Sequence, residues 1–68
     1  MDNSAYKVIE VIGMSEESWE SAAKAAIATV DKSVRGIRVG EVTQMDLRLE
    51  DNRIVAYRVK LKISFKID

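Results

Sequence analysis

The sequence predicts an α+β fold of order β-α-β-β, with a three-stranded antiparallel sheet in the order 1-3-2 partly wrapping one helix. Three observations lead there. From Val55 to Ile67 every odd position is apolar or aromatic, while Arg58, Lys60, Lys62, Ser64 and Lys66 occupy most of the even ones. This is the period of a strand with one buried face. Trp19, Ala22, Ala23, Ala26, Ile27, Val30 and Val34 recur at three- and four-residue steps, which is one helix stripe. Finally, the 68 residues contain no Cys, so no disulfide can staple them, and an expected single domain over residues 1–68 must make its core from these few elements.

Each element follows in chain order. "AYKVIEVIG" reads as the first strand, with Tyr6, Val8 and Ile12 on one side and Ile9 and Val11 on the other. Both sides are largely apolar, as in a strand covered twice, and one helix covers only one of them. Gly13 ends that strand. The helix is expected from Glu16 to about Val34, capped by Ser15, with Glu16 and Glu17 complementing the dipole in its first turn. Met14 before the cap and Trp19 within the helix have the spacing of a hydrophobic staple. Glu20 and Lys24 make a surface pair, and Gly36 is the stop.

"IRVGEVTQMDLRL" is a second strand with a phase slip. Ile37, Val39, Met45, Leu47 and Leu49 are odd but Val42 is even, so a β-bulge is expected near Gly40. A three-residue turn, Glu50 to Asn52 with Asn52 left-handed, would then lead into the last strand, Arg53 to Ile67. The long apolar face of that strand suits the central place in the sheet.

Lengths expose an imbalance. The expected helix is about 27 Å long at 1.5 Å per residue. The last strand spans about 50 Å at 3.3 Å per residue. The helix cannot shield it from end to end. Leaving three or four apolar side chains in water forgoes several kcal/mol at ~25 cal/mol per Å², comparable to the whole stability of so small a fold. Other copies of the chain are therefore expected to supply the cover, through strand edges and sheet ends.

Composition narrows function. There is no His, the commonest general base and neutral metal ligand. With no Cys and no carboxylate pair at catalytic spacing, an enzyme is not expected. Lys+Arg and Asp+Glu number 11 each, and this balance gives no global attraction to nucleic acid or anionic membrane. No apolar run approaches the ~20 residues of a membrane span. No stretch reads as a signal peptide, so a cytoplasmic location is expected. Trp19 is expected in the core. Glu41 is expected to pair with Arg38, Arg58 or a neighbouring subunit. The basic stripe of Arg58, Lys60, Lys62 and Lys66 is expected to be a solvated or lumen-facing surface, with an anion site, for example for the phosphates of a nucleotide cofactor, as the functional reading.

The succession "YKVIEVIG", "SEESWESAAKAAI", "SVRGIRVGEV" and "YRVKLKISFKI" resembles the dodecin family over nearly the whole chain. The resemblance implies a hollow homododecameric shell of cubic symmetry with two-fold and three-fold interfaces. It also implies a binding or storage role, typically for stacked flavins such as riboflavin or FMN. The flavin site it implies involves Val39, Glu41, Gln44 and Arg58. Family members carry a flavin-stacking Trp where this chain has Val39, and a flavin-bonding Gln where it has Arg58. The combination "SWE", "IRV" and "YRVKLKISFK" is more similar to a branch without that Trp, for which calcium is implied. Calcium takes six to eight oxygens, and the carboxylates on offer are Glu16, Glu17, Glu41, Asp46, Glu50 and Asp51, of which Glu16 and Glu17 are the metal candidates. The expectation is a shell that sequesters a small ligand or ion, possible cargoes being calcium or, as the alternative, flavin in a degenerate site.

Overall fold

The computed structural model describes residues 3–67, so residues 1–2 and 68, the ends of the expected 1–68 unit, lie outside it. Strand β1 is Ala5–Ser15, helix α1 Trp19–Asp31, strand β2 Ile37–Glu50 and strand β3 Arg53–Ile67. Both pairings are antiparallel and β3 is central, in the order β1-β3-β2. This is the expected fold and strand order.

The helix starts later than expected. Ser18, not Ser15, is the cap: its backbone is extended and its hydroxyl accepts from the Ser21 amide at 3.0 Å. Ser15 is the last residue of β1, and its hydroxyl instead accepts from the Glu17 amide at 3.0 Å. Glu16 and Glu17 thus lie in the bend between β1 and α1, and the acid in the first turn is Glu20. Trp19 becomes the first helical residue, so the Met14–Trp19 staple is not formed. The Glu20–Lys24 pair is present at 3.3 Å. Beyond the helix, Gly36 has φ +76°, a conformation that L side chains rarely adopt, and its carbonyl accepts from Lys66 at 3.2 Å.

Register explains the phase slip in β2. Tyr57, Val59, Leu61, Ile63 and Phe65 of β3 share the helix side with their ladder partners Leu47, Met45, Val42, Gly40 and Ile37. The partners change parity because β2 carries two extra residues, Arg38 and Thr43, which flank Gly40. Both irregularities are tied down by hydroxyls: Thr43 Oγ1 donates to the Lys60 carbonyl at 3.2 Å, and Ser64 Oγ to the Val39 carbonyl at 3.4 Å. The Arg38 bulge separates two residues that parity alone had grouped. Ile37 faces the helix, while Val39, opposite Ser64, faces away.

The hairpin turn also differs from expectation. Glu50 pairs with Arg53 across a two-residue turn, and Asp51 and Asn52 have φ values of 50° and 62°. Two left-handed residues match the right-handed twist of the flanking strands. The parity that a three-residue loop would have restored is restored by a third irregularity, since Leu49 pairs with Ile54 but Arg48 with Ala56.

The core lies between α1 and the sheet: Ala22, Ala26 and Val30 against Val59, Leu61 and Ile63, with Ile9 and Val11 at its margin. Alanine on the helix and glycine on β1 allow close approach. A Cβ on Gly13 would stand 2.0 Å from the Ala22 carbonyl oxygen. The helix sits over β1 and β3 and leaves much of the inner face of β2 bare.

Candidate functional site

Two apolar surfaces are left open. On the inner face Val42, Met45, Leu47, Leu49 and Ile54 are exposed, Leu49 by 58 %. Thirteen helical residues are about 20 Å long, whereas the fifteen of β3 reach about 50 Å. On the outer face Tyr6, Val8, Ile12 and Met14 of β1 are exposed, Ile12 by 57 %.

Outside measures agree with this picture. The subunit measures 54 × 21 × 14 Å with a radius of gyration of 14.1 Å, where a compact fold of its length would have about 11 Å. Its accessible surface is 5371 Å², against about 4,300 Å² for a typical folded monomer of its mass.

The charges of the outer face form a ladder. The cations lie on central β3 and the acids on its two neighbours. Lys62 stands opposite Glu10 of β1 and Glu41 of β2. Lys60 Nζ is 4.0 Å from Glu10 Oε1. Arg58 stands opposite Asp46 and donates from Nε to Oδ1 at 2.8 Å and from Nη2 to Oδ2 at 3.3 Å. Two parallel bonds fix the guanidinium plane as well as its charge. Arg58 thus pairs with Asp46 rather than Glu41, whose ladder partner is Lys62. Of the basic stripe read from the sequence, Arg58, Lys60 and Lys62 have acids beside them once β1 and β2 are in place, while Lys66 stands opposite Tyr6.

Gln44 and Arg58 line one depression of the outer face, together with Ile12, Asp46 and Lys60. Val39 and Glu41 also belong to that face but lie farther along it. The Asp46 and Val39 rungs are six β3 residues apart, or about 20 Å. Within one subunit the four residues do not converge on one point. Val39 offers no π face, and two of the Arg58 guanidinium N–H groups are engaged by Asp46.

Trp19 is partly buried on the helix side, as expected. It meets Tyr57 edge-on, with centroids 5.3 Å apart and planes at 74°, and its Nε1 donates to the Asp46 carbonyl at 3.2 Å. Asp46 is therefore held from both sides of the sheet, by Trp19 through its main chain and by Arg58 through its side chain. Sequence reasoning counted Asp46 only among the carboxylates open to calcium and missed its pairing with Arg58. Its signal is faint, an acid whose ladder partner is known only once both bulges are placed.

Glu16 and Glu17 are exposed in the β1–α1 bend. Glu16 borders a depression with Ser15, Arg48 and Glu50. Among the described residues no group of three or more His, Cys, Asp or Glu is assembled to hold a metal ion. No helix of the described residues is long and apolar enough to cross a membrane.

Comparison with known proteins gives a consistent result. The chain is 44 % identical over 64 residues to calcium dodecin of Mycobacterium tuberculosis, covering 94 % of this chain and 90 % of the relative. Among solved structures, dodecin from Streptomyces coelicolor superposes with a TM-score of 0.94 at 31 % identity, covering 100 % of this chain and 97 % of the other. The Mycobacterium tuberculosis calcium dodecin, described as a calcium chelating immunodominant antigen with a novel calcium-binding site, superposes with a TM-score of 0.85. It is 43 % identical, with 96 % and 93 % of the two chains covered. The Dodecin family model matches residues 5–68, from the first residue of β1 through β3. With fold, strand order and sequence agreeing along that length, the chain belongs to the dodecin family.

Proposed function

We propose that this chain is the subunit of a self-assembled shell of twelve copies that binds and stores a small ligand or ion, with calcium as the favoured cargo. It is a binding protein of the cytoplasm and not an enzyme. The observation that carries the reading is the open apolar surface on the helix side of the sheet, with Val42, Met45, Leu47, Leu49 and Ile54, which other copies of the chain would cover. The kinship with calcium dodecin supports calcium over flavin, as does Val39 at the position where stacking needs a ring.

Glu16 and Glu17 are the proposed calcium ligands. They provide two exposed carboxylates on one bend, fewer oxygens than the six to eight calcium takes. The remaining oxygens would come from main-chain carbonyls, water and other copies of the chain. Assembly and binding are then linked, because the ion is fully ligated only where subunits meet.

Calcium titration followed by thermal unfolding tests this. Calcium at a hundred times its dissociation constant should stabilise the protein by about 2.7 kcal/mol. Glu16→Gln with Glu17→Gln should remove that gain. An unchanged melting curve across millimolar calcium would count against the reading. A yellow protein with quenched flavin fluorescence would move support to the flavin alternative.

A further inference from the structure

The charge ladder bears on what the outer face accepts. We propose that Asp46 is a specificity-determining residue of the depression lined by Ile12, Gln44, Asp46, Arg58 and Lys60. By holding Arg58, it makes the depression refuse phosphate-bearing anions that its cations would otherwise bind. The proposal rests on the reading of the chain as a small-ligand binder and adds the class of ligand that this face excludes.

The argument runs from the pairings. A guanidinium is the side chain best shaped for two parallel bonds to an anion. Here both bonds go to Asp46, at 2.8 and 3.3 Å. The pair is about two-fifths exposed, 43 % for Arg58 and 39 % for Asp46, so solvent screens it and it contributes little to stability. Its effect is on charge. Asp46 takes two of the five guanidinium N–H groups and neutralises the cation. An incoming phosphate must share that cation with the carboxylate at close range, and like charges disfavour this. The next cation offers no substitute, since Lys60 leans toward Glu10 at 4.0 Å. Lys62 lies between Glu10 and Glu41. With Asp46 neutral, Arg58 and Lys60 would face the depression with a single acid, Glu10, close to either of them.

Position matters as much as charge. Arg58 occupies a β3 rung directly opposite Asp46, and Trp19 anchors the Asp46 carbonyl from the helix side at 3.2 Å. The carboxylate is presented from a main chain fixed on both faces of the sheet. Replacing it by an amide keeps that main-chain bond and removes only the charge.

The test is titration of the full chain with inorganic pyrophosphate at low salt, followed by calorimetry. The wild type should bind weakly or not at all, and Asp46→Asn should bind at least about tenfold tighter, the scale of a charge-assisted hydrogen bond. Asp46→Asn with Arg58→Gln should lose the gain, which separates release of Arg58 from a general rise in positive charge. Asp46→Ser serves if the amide variant does not fold, and Trp19 emission reports whether the helix start is intact. Equal pyrophosphate affinity in wild type and the Asp46 variants overturns the proposal, as does a gain that persists without Arg58. Calcium binding by the wild type is measured on the same preparation. Its loss would strike the proposed function and leave the pyrophosphate comparison intact.

Discussion

At Gly13 the main chain of β1 lies against the helix, and a single hydrogen atom is all the side chain that fits. An added Cβ would come within 2.0 Å of the Ala22 carbonyl oxygen and 2.9 Å of the Ala26 methyl. Backbone cannot swing aside as a flexible side chain would, so Gly13→Ala should lower stability by more than about 2 kcal/mol in chemical denaturation, the scale of overpacked cores. Gly40 is the contrasting case. A Cβ there meets only Ile27 and Leu61 side-chain atoms at 3.7 and 3.8 Å, so Gly40→Ala should change stability by no more than about 0.5 kcal/mol. A large loss at Gly40 and none at Gly13 would contradict the packing described. Residue types alone mark both glycines as special, but only the helix position tells which one is crowded.

The elements were legible from period and composition, and their boundaries less so. The alternation of β3 and the alanine-rich stripe of α1 each repeat often enough to identify the element. The helix start was ambiguous because Ser15 and Ser18 are both good caps, each followed by acids. The strand won Ser15, since β1 continues until it pairs with Tyr57. Accordingly Ser18→Ala should cost about 1 kcal/mol, as a lost cap does, and Ser15→Ala clearly less, both read from urea unfolding. A larger loss at Ser15 would restore the earlier start. In β2 the phase slip revealed that a bulge existed but not that there were two. A slip and its reversal leave the parity of the flanking residues unchanged, so Ile37 and Val39 looked equivalent when they face opposite sides. The candidate site suffered most from this. Its residues lie on β2 and β3, and their pairing depends on every bulge between them. The Asp46–Arg58 contact became visible only with the ladder in place.

For the whole molecule, the imbalance seen in element lengths is larger than the sequence implied. The helix is shorter than the expected Glu16–Val34, thirteen residues from Trp19 to Asp31, and it roofs less of the sheet. The hairpin end, with Leu47, Leu49 and Ile54, projects beyond it. If other copies cover that end, a charge placed there opposes assembly more than folding. Leu49→Asp, at a position 58 % exposed in the lone subunit, should change the helix and sheet content seen by circular dichroism little, yet shift the particle to smaller species on size exclusion. A Leu49→Asp protein that elutes as the wild type does would locate the interfaces elsewhere.

Mass in solution is the measurement closest to the central claim that one copy cannot cover its own apolar strands. Light scattering at micromolar and lower concentrations should give a particle of about 91 kDa, twelve times the 7.6 kDa chain, with no stable single subunit on dilution. A soluble 7.6 kDa species that unfolds cooperatively would contradict the claim.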